Sequence, residues 1–140
     1  MQKFTFQEFI AYDTETTGLS AKENRIIQIG AVRCRLENGI IKAKEKFEIY
    51  LKQSEPLPEI IVELTGITDE QLMDKPTEDE AFEQIKEFFG KFPVVGYNLS
   101  FDNRFMTAMY ERHGASWNRD SYDVFAMVRE QIPKGTTENQ

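Results

Sequence analysis

The sequence predicts an α/β protein, a mixed sheet with helices packed on it, and three observations carry that expectation. Three β-rich runs stand close together in the first 51 residues, with the pair Asn38-Gly39 between the second and the third. Two Thr-x-x-Gln/Glu boxes, Thr68 with Gln71 and Thr77 with Glu80, open helical stretches behind them. A short β-branched run at 93 to 97 is then followed directly by apolar residues at helical spacing. Strands first, then helix, strand and helix, describe a sheet that needs helical cover.

Phe9 to Asp13 is aromatic and apolar and ends in a polar cluster, as a buried strand does. Ile26 to Leu36 and Ile40 to Leu51 form two further strands, and Asn-Gly between them marks a hairpin. Pro58 suits the first turn of a short helix to Leu64, and Gly66 suits its left-handed end. The capping box at Thr77 opens an amphipathic helix with Phe82, Ile85, Phe88 and Phe89 before Gly90. Pro93 to Tyr97 reads as a buried strand. Phe101, Phe105, Ala108 and Met109 share one face of a helix from about Phe101 to His113. Ala115 to Asp120 is turn-like, and Val124 to Ile132 is a last helix stopped by Pro133 and Gly135, with Asp123 as its cap. The tail, Thr136 to Gln140, has no core-forming residue.

A chain of 140 residues, 40% hydrophobic, has the size and composition of one domain with a packed core. It contains no apolar run of roughly 18 residues and no charged-then-apolar leader, so neither a membrane partner nor secretion is expected, and the cytoplasm is the expected compartment. Cys34 is alone and lies in an apolar strand pattern, the setting of an inert buried thiol. The net charge of −7 opposes broad binding to a phosphate backbone. That objection weakens where a strand end is held through divalent metals, because the ions supply the positive charge.

Chemistry concentrates in two places. On a strand Asp13 and Glu15 project from one side while Thr14 points away. They lie at the carboxyl end of the first strand, where open α/β sheets place their ligands. Alone, the pair reads more readily as a solvated strand end. Asp102, however, falls about one turn into a helix that directly follows a second buried strand, so a third carboxylate can reach the same crevice. Hard cations such as Mg²⁺ and Mn²⁺ take oxygen ligands, and two of them about 3.5–4 Å apart can stabilise both the attacking and the leaving oxygen in phosphodiester cleavage. The amide of Asn98 can bond a sugar or phosphate. The ring of Phe101 either packs against a terminal nucleotide or belongs to the helix core.

DTETTGLS (Asp13 to Ser20), ELTGITDEQL (Glu63 to Leu72) and GYNLSFDNRFM (Gly96 to Met106), in this order, resemble the DnaQ-like, or DEDD, 3′ to 5′ exonuclease family, and among its members the proofreading domains of bacterial replicative polymerases. The resemblance runs from about residue 8 to residue 133. It implies a ribonuclease H-like mixed sheet flanked by helices, with Asp13, Glu15 and Asp102 as the catalytic carboxylates that bind two divalent ions, Mg²⁺ or Mn²⁺. It implies that Thr16, Thr17, Leu19, Thr65 and Asn98 line the pocket for the terminal nucleotide. It also implies a nucleic-acid 3′ end as partner, DNA ahead of RNA, with DNA polymerase subunits as candidate protein partners.

The family completes its site with His-x-x-x-x-Asp or Tyr-x-x-x-Asp, and these 140 residues contain neither. His113 is followed five places on by Asn118, and it reads as a surface residue at a helix end. The chain is therefore expected to be a truncated or partly disordered exonuclease domain whose C-terminal helices are missing. Two other readings stand beside hydrolysis: a catalytically incomplete nuclease-like module for nucleic-acid binding or polymerase assembly, and a small-molecule phosphohydrolase. The second lacks a Walker-type phosphate loop.

Overall fold

The computed structural model describes residues 7–124. Of the expected last helix only Val124, which is helical, falls within them; its remainder and the polar tail lie outside. The elements are β1 (Glu8–Thr16), β2 (Ile26–Glu37), β3 (Ile40–Tyr50), α1 (Glu59–Thr65), α2 (Asp69–Leu72), α3 (Glu78–Phe89), β4 (Val94–Gly96), α4 (Leu99–Arg112) and β5 (Ser121–Asp123). The five strands form one sheet in the order β3-β2-β1-β4-β5. β1, β2 and β3 pair antiparallel, whereas β1, β4 and β5 pair parallel, which makes the sheet mixed as expected.

The local signals act where the sequence places them. Asn38 and Gly39 both take positive φ, 53° and 77°, as a tight hairpin turn requires. At Thr68 and Thr77 each hydroxyl accepts from the backbone of the third helical residue, and Gln71 and Glu80 accept in return from the Thr backbone, so both capping boxes are closed. Gly66 ends α1 in the left-handed conformation and donates to Val62.

One face of the sheet, carrying Ile10, Tyr12, Ile29 and Ala31, packs against the apolar faces of α3 and α4. Tyr12, Phe89, Tyr110 and Trp117 meet edge to face at centroid separations of 5.0 to 5.6 Å, and each large side chain buried there contributes on the order of 1.5–3 kcal/mol. α1 and α2 close over Ile27 with Leu57, Ile67 and Leu72. The opposite face holds a smaller cluster of Phe9, Cys34 and Val95. Burial pushes the Cys34 thiol up, which keeps it protonated and inert.

Among the differences from the sequence reading, two boundaries and one added strand bear on the site. β1 continues to Thr16 because β2 pairs along it, although its last residues are polar. α4 begins at Leu99, two residues early, because Leu99 is a buried anchor. β5 was not expected: Ser121, Tyr122 and Asp123 carry little strand signal, and they are extended because they pair with Val94, Val95 and Gly96. Among the described residues no helix is long and apolar enough to cross a membrane.

Candidate active site

The site arises because β1 outruns its neighbour. β4 pairs with β1 at Ile10 and Ala11 and ends at Gly96, so the backbone of β1 beyond Tyr12 has no strand on that flank. A backbone N–H at such a place needs another acceptor. Asp102, in the first turn of α4, supplies it: its Oδ1 accepts from the Thr14 N–H at 3.1 Å and from the Thr14 hydroxyl at 2.5 Å. Thr14 does point away from Asp13 and Glu15, as strand geometry requires, but it points towards the third carboxylate rather than into inert packing.

Asp13 and Glu15 are exposed on the other face. Asp13 lies opposite Gly30 of β2, and its Oδ1 is 3.3 Å from where a side chain on Gly30 would start. Any larger residue there would press on the carboxylate. Gly30 is thus a site residue that pattern reading missed, although an isolated glycine inside a strand is itself a sign of close approach. Asp102 comes in around the strand edge, so the three carboxylates bracket the end of β1.

Asp102 is 6% exposed. Burial pushes its carboxyl up to about 6; the two hydrogen bonds from Thr14 pull the other way, and the charges of Asp13 and Glu15 push further up. Glu15 is also raised, first by burial and then by Asp13. Among the described residues no cationic side chain forms an ion pair with any of the three. Three oxygen-donor anions that repel one another without a compensating cation suit a hard divalent ion.

The other expected contacts are mixed in character. The Thr16 hydroxyl is buried and donates to the Gly18 carbonyl, and the Thr17 hydroxyl accepts from the Arg25 N–H, so both hold the 17–25 loop in shape. The space at Gly18 is filled by the Asn24 side chain. Thr65 donates to the Ile61 carbonyl and accepts from the Ile67 N–H at the end of α1. Leu19 is 84% exposed on the loop tip. Asn98 is exposed in a left-handed conformation at the start of α4. Phe101 is half-buried and packs on Phe105.

Two residues act differently from the sequence reading. The Asp123 carboxylate accepts from the N–H groups of Asn98 and Leu99, so it caps α4 across the sheet. His113 is not a solvated helix end. It stacks on Phe82 at 4.3 Å, and its Nε2 lies 2.9 Å from Glu78. Among the described residues only Glu78, Asp79 and His113 gather three donor atoms within 4.8 Å of one another. Arg112 already occupies both oxygens of Glu78, at 2.9 and 2.6 Å. Burial alone would push the Glu78 carboxyl up, but the hydrogen bonds and charges of Arg112 and His113 bring it below its usual range. This cluster is a clamp between α3 and α4. It lies about 16 Å along α4 from Asp102 at 1.5 Å per residue.

The profile of the exonuclease family (RNase_T) matches residues 10–138. The chain belongs to this exonuclease family, the DnaQ-like group that its three motifs resemble. Among curated relatives, the PolC-type DNA polymerase III of Bacillus cereus is 34% identical over 129 residues, which cover 91% of this chain and 9% of that protein. The PolC-type enzyme of Halalkalibacterium halodurans is 39% identical over 107 residues, covering 76% and 7%. The chain thus spans less than a tenth of these relatives. Among solved structures, a complex of ExoI with SSB-Ct superposes with a TM-score of 0.78 at 23% identity, covering 96% of this chain and 33% of that one. Escherichia coli exonuclease I with a dT13 oligonucleotide gives 0.76 at 22% identity, covering 94% and 32%. At these identities the superpositions establish the ribonuclease H-like fold.

Proposed function

We propose that this chain is one exonuclease domain that hydrolyses DNA from the 3′ end and releases nucleoside monophosphates, in proofreading or repair. The observation that carries this reading is the set of three uncompensated carboxylates, Asp13, Glu15 and Asp102, around the free end of β1 in a member of an exonuclease family. Asp13, Glu15 and Asp102 would hold Mg²⁺ or Mn²⁺, two ions being the expected number. Bound there, such ions would make a water more acidic and offset charge on the phosphate. The protein's own part is positional. Thr14 fixes Asp102, Gly30 leaves room for Asp13, and Asp123 holds the first turn of α4. The exposed Leu19 and Asn98 and the half-buried Phe101 would meet the terminal nucleotide, with Thr16, Thr17 and Thr65 shaping the loop and the helix end of its pocket.

The named relatives are DNA polymerases III of PolC type and an exonuclease crystallised with a dT13 oligonucleotide, which supports a single DNA strand as substrate and polymerase subunits as partners. The test is Mn²⁺-dependent digestion of a 5′-labelled strand by the complete protein. A ladder shortening from the 3′ end is expected, together with loss of at least ~100-fold in rate for Asp13→Ala and Asp102→Ala. Digestion by Asp13→Ala at the parent rate, or shortening from the 5′ end, would overturn the reading.

A further inference from the structure

A groove of about 810 Å³ runs between the 17–25 loop and the outer face of α4. Its cationic lining is unusual for a chain of net charge −7: Lys22 and Arg25 on the loop face Arg104 and Arg112 on the helix, with Glu111 as the acidic lining residue. Arg112 is committed to Glu78. Lys22, Arg25 and Arg104 form no ion pair among the described residues, so their charge is available to a ligand. The groove starts at Ser100 in the first turn of α4, on the helix face away from the buried Asp102, and runs about 18 Å along the helix from position 100 to position 112. Beyond Arg112 an adjoining cleft mixes Glu78 and Asp79 with Arg25 and Lys52, so carboxylates interrupt the cationic stretch there.

The Arg104 guanidinium stands 5.7 Å from the half-buried Phe101 ring, and the exposed Leu19 lies on the same loop as Lys22. Cations spaced along one groove suit the phosphates of a single-stranded nucleic acid. The lining is charged and shallow and offers no buried donor set for reading bases, so contacts there would be independent of sequence.

We propose that this groove is the track for the sugar-phosphate backbone just behind the terminal nucleotide, with Lys22, Arg25 and Arg104 as its phosphate contacts. The proposal rests on the exonuclease reading for the position of the 3′ end. It accounts for how an acidic protein holds more of a strand than its last nucleotide: the cations are gathered in one groove instead of spread over the surface.

The test is fluorescence-anisotropy binding, in Mn²⁺, of a labelled ten-nucleotide thymidine strand whose 3′ linkage is a phosphorothioate, beside the corresponding dinucleotide. The double substitution Lys22→Gln with Arg104→Gln is expected to weaken the ten-nucleotide strand about tenfold. It should also lower the slope of log affinity against log salt by roughly 1.4, at about 0.7 per phosphate contact. Dinucleotide binding should stay within about twofold of the parent. Lys42→Gln with Lys44→Gln on β3 changes net charge equally and should do neither, while Arg104→Lys should restore most of the affinity. Equal weakening by both double variants, parent-like binding by the first, or no binding of the strand by the parent overturns the track. Binding that follows the groove in a protein that never cuts an unmodified strand sustains the track and overturns the hydrolytic reading instead.

Discussion

α4 carries an acidic constellation at each end, and the fold settles the two in opposite ways. At the first turn Asp102, Asp13 and Glu15 meet a hydroxyl, an amide and one another, and burial followed by mutual repulsion raises Asp102 and Glu15. At the last turn Glu78 meets Arg112 and His113, and despite its burial it is lowered. The second group has its donor atoms closer together, yet it is the first that has charge left to neutralise. Proximity of carboxylates is thus a poor guide to a cation site unless the cations already present are counted.

The largest separation of the two ends should appear with metal. Mn²⁺ at about a hundred times its dissociation constant stabilises a one-site protein by about 2.7 kcal/mol, which for a chain of this size is a melting-temperature rise of roughly 10 °C. Differential scanning fluorimetry should show that rise in the parent and in Glu78→Gln, and its loss in Asp13→Asn. An unchanged rise in Asp13→Asn, or its loss in Glu78→Gln, would place the ion at the other end of α4.

A middle-sized effect should come from pH in the absence of metal. The folded-state value of Asp102 is raised above the ordinary 3.8 to about 6, so its share of stability is full at acid pH and is lost as pH rises through 6. Asp102→Asn keeps an oxygen for Thr14 and removes the charge. It should stabilise the metal-free protein at pH 7.5 by about 1–2 kcal/mol after allowance for partial solvent contact, with the gain vanishing near pH 4. Urea denaturation at the two pH values checks this.

The smallest effect belongs to the clamp, and its sign is opposite. Glu78 is lowered, so its contribution is present at neutral pH and fades as pH falls below the ordinary 4.5. Glu78→Ala should destabilise by about 1 kcal/mol at pH 7, whereas Asp79→Asn, on a largely exposed partner, should stay within about 0.5 kcal/mol. A difference between these two variants that persisted at pH 3 would rule out charge as the origin of the clamp.

The pieces of this contrast that were legible in the sequence are those with a local cause. Asp13 and Glu15 share a face because strands alternate, Asn38-Gly39 turns because positive φ is cheap there, and the two Thr boxes close because their partners lie three residues away. Asp102 was placed near the strand end because a helix had to follow β4. What stayed hidden has partners far off in the chain. β5 exists through pairing with β4, and Thr14 meets an acceptor 88 residues later. Asp123 serves a helix that begins 24 residues before it, and His113 is drawn inward by Phe82 from another helix. Gly30 is the exception, because an isolated glycine inside a strand is a local sign of close approach.

The cap from Asp123 has a consequence for how the protein is made. Asn98 starts α4 without a side-chain cap of its own, so the N–H groups of Asn98 and Leu99 wait for a carboxylate that leaves the ribosome 25 residues after the first of them. The nascent chain can carry Asp13, Glu15 and Asp102 and still lack the peg that seats Asp102's helix. Until β5 docks beside β4 the first turn of α4 lacks this cap, so a chain that ends short of Asp123 would hold Asp102 on an uncapped helix.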